Sequence, residues 1–237
     1  MAPMMLALSV AITVPLLLLI LLVDTPQTRF LLLFFVWGAI AGFLASEINT
    51  ELLFMFRLST RDLQIQFAPI VEEFLKALPL FAVAIVARRY LARHEFILAA
   101  IFVGFGFSLV ENFSFLIRAQ DLATIELTQY VITRSVSTTI MHGTATGVIG
   151  VTLYYLHRGT LDEFGFWPLF VVYGYCLAVL LHALFNLIVL FEVFGRPVAI
   201  ASGLVSYLVL WVFLHRYRQL TDEAEPADRV GVSTNIE

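Results

Sequence analysis

Charge is scarce in this chain, and lysine nearly absent. Only 14% of the 237 residues are Asp, Glu, Lys or Arg, and Lys76 is the single lysine among arginines. The formal net charge is −4 and the pI is near 5.7, so there is no basic surface to hold nucleic acid. One cysteine, Cys176, stands in an apolar run; it can form no intrachain disulfide and reads as a small packing residue. No internal repeat is evident, which argues against an inverted-repeat transporter. What remains is apolar: 60% hydrophobic residues and a mean hydropathy of +0.92, the composition of a polytopic membrane protein.

A helix that crosses a bilayer needs about 20 apolar residues. Seven stretches meet this: Met4–Val23, Phe30–Ile48, Gln66–Ala87, Phe96–Ile117, Thr128–Leu156, Pro168–Phe191 and Val198–Leu214. The expected fold is therefore an all-α transmembrane bundle of about seven spans. The second stretch can extend to Met55, where Glu47, Asn49 and Glu51 suggest an interfacial helix end. The first has no Lys or Arg before it and is too long for a signal-peptide core, so it is read as an uncleaved anchor.

Arginine placement sets the orientation. One set of connections holds Arg29, Arg88, Arg89, Arg93, Arg158, Arg216 and Arg218; the opposite set holds Arg57, Arg61, Arg118 and Arg196. The richer set belongs in the cytoplasm, which places the N-terminus outside and the C-terminus inside. Residues 1–218 then form one integral-membrane domain with its core at about 66–190. Residues 219–237 are polar and lack aromatics, and are expected to be a disordered cytoplasmic tail.

Against this apolar background the intramembrane polar residues stand out. Glu72, Glu73 and Lys76 lie in QFAPIVEEFLKALPLFAVAIVA. A charge at the centre of a membrane helix costs roughly 2.5–3.5 kcal/mol on insertion scales. Lys76 is within helical reach of either carboxylate, but one Glu would suffice for an ion pair, so a second carboxylate is left over. Pro69 and Pro79 flank the motif and free backbone groups that must be satisfied elsewhere. The next span holds Glu111 and Asn112, with Gly104 and Gly106 allowing a neighbouring helix to approach closely. The hydroxyl-rich fifth span holds His142, and Arg134 near its outer part, where interfacial snorkelling is expected. The sixth holds His182 and Asn186, four apart and on one face. His94, His157 and His215 fall in or beside cytoplasmic connections and read as interfacial.

Depth links these groups. Counted inward from the outer end of each span at ~1.5 Å per residue, Glu72 and Glu111 lie roughly 9 Å deep and His182 roughly 13 Å. His142 falls at roughly 12 Å if its span begins near Arg134. All four share a layer in the outer half of the bilayer.

Two imidazoles and a carboxylate make a zinc set with a position left for water. In that arrangement Glu111, His142 and His182 bind metal, and Glu72 or Glu73 is the general base. In the metal-free version a carboxylate and the histidines hold and deprotonate water directly. Asn186 is a candidate to orient His182 or stabilise an oxyanion, and Lys76 to hold a carboxylate ionised. Either version is a hydrolase working within the membrane.

The order EExxK (Glu72, Glu73, Lys76), GFGFSxxEN (Gly104 through Asn112), a mid-helix His142, and HxxxN (His182, Asn186) resembles the PrsW family of intramembrane proteases. That family is a branch of a wider group with the CAAX prenyl proteases and bacterial CAAX-like proteins, which show EExxxR, FxxxH and HxxxN. Lys76 three residues after Glu73, and FxxxE from Phe107 to Glu111, are the departures that point to the PrsW branch. The resemblance covers roughly Gln66 to Leu190. It implies a multi-pass protease of the bacterial or archaeal cell membrane that cuts membrane-anchored proteins near the extracytoplasmic side, as in the first cut of an anti-sigma factor. It also implies Glu72, Glu73, Glu111, His142 and His182 as catalytic or metal residues, and leaves open their individual roles and the choice between a metal and a glutamate-activated water.

Two rivals come from other classes. One is a non-catalytic membrane scaffold of the APH-1 type, against which the Glu72–Glu73 pair argues. The other is a proton-coupled transporter, against which the missing repeats and the off-centre depth argue.

Overall fold

A computed structural model describes residues 31–86, 91–92, 94–118, 124–157, 167–190, 201 and 204–220. Five long helices follow in order: α1 (Leu32–Met55), α2 (Ala68–Val86), α3 (Glu95–Arg118), α4 (Thr124–His157) and α5 (Trp167–Leu190). A sixth, α6, covers 204–220. No strand occurs among the described residues.

α1 ends where Arg57 takes a left-handed backbone (φ 52°) and Leu58 N–H bonds back to Leu53 O at 3.1 Å, a common helix stop. Ser59 then caps a short helical turn, Thr60–Asp62, by accepting from Asp62 N–H at 3.0 Å. A π-helical turn, Leu63–Phe67, leads directly into α2.

The two prolines of the α2 segment explain how it is held. In the π turn Ala68 N–H bonds Leu63 O, so the next donor, for Gln64 O, would be residue 69. Pro69 has no N–H. The side chain of Asn186 on α5 donates to Gln64 O instead, at 2.9 Å. Pro79, inside α2, likewise cannot serve Leu75 O; the indole of Trp37 on α1 donates to it at 2.9 Å. Each lost backbone bond thus becomes a tie to a different neighbour, as membrane interiors require.

α3 is the central element, packed between α1 and α4. Phe96 through Val103 are all buried, and 83% of its apolar window is enclosed, against 33% for α1 and 22% for α5. α1 and α5 accordingly turn large apolar side chains outward, among them Leu33, Phe43, Leu169 and Tyr173. Glycines set the close approaches. A Cβ at Gly106 would overlap the carbonyl of Phe35, and one at Gly104 the carbonyl of His142.

Among the described residues, three helices, Leu32–Met55, Glu95–Ile117 and Leu169–Leu190, are long and apolar enough to cross a membrane. They correspond to the second, fourth and sixth of the seven spans expected from sequence. α2 carries three charges in 19 residues, and α4, although 34 residues long, is diluted by hydroxyls and charges. The expected span Met4–Val23 lies outside the described residues, and Val198–Leu214 lies partly outside them. The expected tail begins at 219, but α6 runs to 220; residues 221–237 lie outside the described residues.

Candidate active site

Five helices send polar side chains to one place. α2 contributes Glu72, Glu73 and Lys76, α3 Glu111, α4 Arg134 and His142, α5 His182, and α1 Asn49. Glu73, Lys76 and His142 are fully buried, and His182 nearly so. The Glu111 side chain is 25% exposed and marks the open end.

Lys76 Nζ lies 2.5 Å from Glu73 Oε1 and 2.9 Å from His142 Nδ1, and also 4.4 Å from the centre of the Phe107 ring. An ammonium only donates, so Nδ1 of His142 accepts and its proton sits on Nε2. Nε2 lies 2.5 Å from Glu111 Oε2, and the other oxygen of Glu111 is 2.9 Å from Arg134. Arg134, expected to snorkel to the interface, is instead drawn inward by Glu111, its guanidinium lying over the Phe115 ring.

His182 is arranged in the opposite sense. Its Nδ1 donates to Glu73 Oε1 at 2.9 Å, which leaves the Nε2 lone pair free. Nε2 faces Glu72 Oε2 across 3.7 Å. Both atoms are acceptors when Glu72 is ionised, and Glu72 Oε2 is buried without a hydrogen-bond partner. Such a gap calls for a donor or a cation between them. Thr146 donates to Glu73 Oε2 at 3.3 Å, and Asn49 donates to Glu72 Oε1 at 3.1 Å. The imidazoles of His142 and His182 meet edge to face with centroids 4.9 Å apart.

With all three carboxylates ionised, the charges of the site do not cancel. Glu72, Glu73 and Glu111 face Lys76 and Arg134, so three negative groups against two positive leave one negative charge. The surplus lies where Glu72 meets His182, which suits a bound cation. Among the described residues, Glu72, His142 and His182 form a group whose ligand atoms all lie within 4.8 Å of one another. Glu72 and His182 each offer a free atom. His142 has both nitrogens engaged and would exchange one partner to bind metal. The donor set, two imidazoles and a carboxylate, is a common one for zinc.

The family model for PrsW family intramembrane metalloproteases matches residues 26–215. The chain belongs to the PrsW family. No curated protein and no solved structure gives a significant match. Family membership supports protease activity within the membrane and fits the buried Glu/His/His group.

The residues singled out in the sequence fall into two sets. Glu72, Glu73, Lys76, Glu111, His142 and His182 form one continuous chain of contacts. Glu111, a candidate metal ligand by sequence, has its oxygens on His142 and Arg134, while the three groups that lie mutually within 4.8 Å are Glu72, His142 and His182. Asn186 bonds Gln64 O and fastens α5 to the π turn. Asn112 accepts from Thr138 at 2.7 Å and ties α3 to α4. Asn49 and Thr146 are site contacts the motif order did not include. In the sequence Asn49 reads with Glu47 and Glu51 as part of an interfacial helix end, which hides its role.

Proposed function

We propose that this PrsW-family chain is an intramembrane endopeptidase that hydrolyses peptide bonds of membrane-anchored proteins near the extracytoplasmic side. The observation that carries the reading is the unpartnered Glu72 Oε2 opposite the free Nε2 of His182, 3.7 Å apart at the floor of a buried polar site. Water placed there donates to both atoms, and Glu72 takes its proton as the oxygen attacks the scissile carbonyl. The proton then passes from Glu72 to the leaving amine. Glu73 holds His182 in the tautomer that keeps Nε2 free, and Lys76 balances Glu73. Arg134 and Glu111 fix His142 from the open side. Zinc, when bound, would be held by Glu72, His142 and His182, with Glu72 then a ligand and not the base, and would make the water a stronger nucleophile and polarise the substrate carbonyl.

The same proposal includes topology and setting. α2 and α4 cross the membrane with their polar faces turned inward, within a seven-span chain of the cell membrane, N-terminus outside and C-terminus inside. Residues 1–218 form the membrane domain and the remainder a cytoplasmic tail. A substrate of the anti-sigma-factor type, cut first on the outer side, suits a site in the outer half of the bilayer.

The test uses the purified full chain and a tagged single-span substrate, with and without chelator. Cleavage is expected to disappear in Glu72→Gln and His182→Ala. Undiminished cleavage in Glu72→Gln would sink the assignment. Cleavage that persists with chelator and without bound zinc would remove the metal and keep the protease.

A further inference from the structure

The Nδ2 of Asn49 donates to Glu72 Oε1 at 3.1 Å, from the last two turns of α1. A carboxylate accepts and cannot donate when ionised, so the amide must turn its NH2 toward Glu72 and its oxygen away. That oxygen, Asn49 Oδ1, is buried and has no hydrogen-bond partner. Glu72 Oε2 is in the same condition. Two bonded neighbours therefore each hold an empty acceptor, and buried acceptors without donors are costly enough to be rare.

We propose that Asn49 is a positioning residue of the reaction centre. It holds Glu72 by Oε1 so that Oε2 faces His182 Nε2, and its Oδ1 accepts a hydrogen bond from a donor of the reaction. Peptide hydrolysis supplies two such donors, the attacking water and a backbone N–H of the bound substrate. The inference rests on reading Glu72 as the group that activates water. The pairing joins residues 23 apart in sequence across two helices, so no motif in the chain announces it.

The experiment measures steady-state cleavage of a tagged single-span substrate by the full chain carrying Asn49→Leu or Asn49→Ala, with thermal unfolding followed in the same detergent. Both variants remove the donor to Glu72 and add no charge beside it; Asn49→Ala carries the test alone should Asn49→Leu not fold. The expected result is a fall in kcat of about 10–100-fold in protein that still folds, the usual cost of losing a partner that orients a reactive group. An unchanged KM then assigns Oδ1 to the water, and a raised KM assigns it to the substrate N–H. A kcat within twofold of the parent, with or without a lower unfolding temperature or an altered KM, overturns the proposal. Glu72→Gln is run alongside: if it too cleaves normally, the reading of Glu72 has failed, and not only that of Asn49.

Discussion

The ammonium of Lys76 reaches across from α2 to Nδ1 of His142 on α4, 2.9 Å away, while holding Glu73 at 2.5 Å. One cation thereby fixes the tautomer of an imidazole and the charge of a carboxylate on separate sides of the site. Its removal should be felt twice. Lys76→Met leaves Glu73 buried without a counter-ion, and a buried pair broken from one side costs about 3–5 kcal/mol. Unfolding in detergent should show that loss, together with absent cleavage.

Glu73→Gln should behave differently from Glu72→Gln. The amide can still accept from His182 Nδ1 through its oxygen, but the charge that favours this arrangement is gone. A fall of about 10–100-fold in kcat is expected, where Glu72→Gln abolishes cleavage. Equal residual rates in the two variants would refute the separate roles.

Gly104 supports the site from behind. A side chain there meets the backbone carbonyl of His142 and must push α4 away from α3. Gly104→Ala should destabilise the fold by about 1–3 kcal/mol, as overpacking does. It should also lower activity, because Glu111 and His142 sit on opposite sides of that seam. Thermal unfolding and the cleavage assay read the two effects.

Trp37 and Pro79 should be energetically coupled although their side chains do different things. Trp37→Phe leaves Leu75 O without a donor, at a cost of about 1–3 kcal/mol. Pro79→Ala restores a backbone N–H to that carbonyl. The cost of Trp37→Phe should therefore shrink in the Pro79→Ala background, with a coupling of about 0.5–3 kcal/mol in a double-mutant cycle. Additive effects would refute the account.

Much of this was readable from the chain because charge in an apolar helix has no background to hide in. Glu72, Glu73, Lys76, Glu111, His142 and His182 stand out by residue type alone, and equal depth predicts that they meet. Which atoms meet was not readable. Glu111 is drawn to Arg134, a residue whose position near a span end reads as interfacial, and this leaves Glu72 beside the histidines. Asn186 looks like a partner of His182 at helical spacing, yet its bond goes to a carbonyl freed by Pro69. Such pairings depend on backbone groups that only a π turn or a proline releases. The third and fifth expected spans do not stand out by apolarity in the helices that form them, because α2 and α4 carry so much of the polar chemistry.

The two carbonyls left open along α2 bear on how the protein is made. α2 by itself presents charged groups and unsatisfied carbonyls to lipid, and neither suits an isolated segment in a bilayer. Trp37 lies upstream of it and Asn186 over a hundred residues downstream. During synthesis the first tie is available almost at once, and the second only after α5 emerges. A nascent chain halted before α5 would hold Glu72 and Glu73 in a loosely seated helix with no His182 to face. Proteolytic competence would then arrive as a late event of biogenesis.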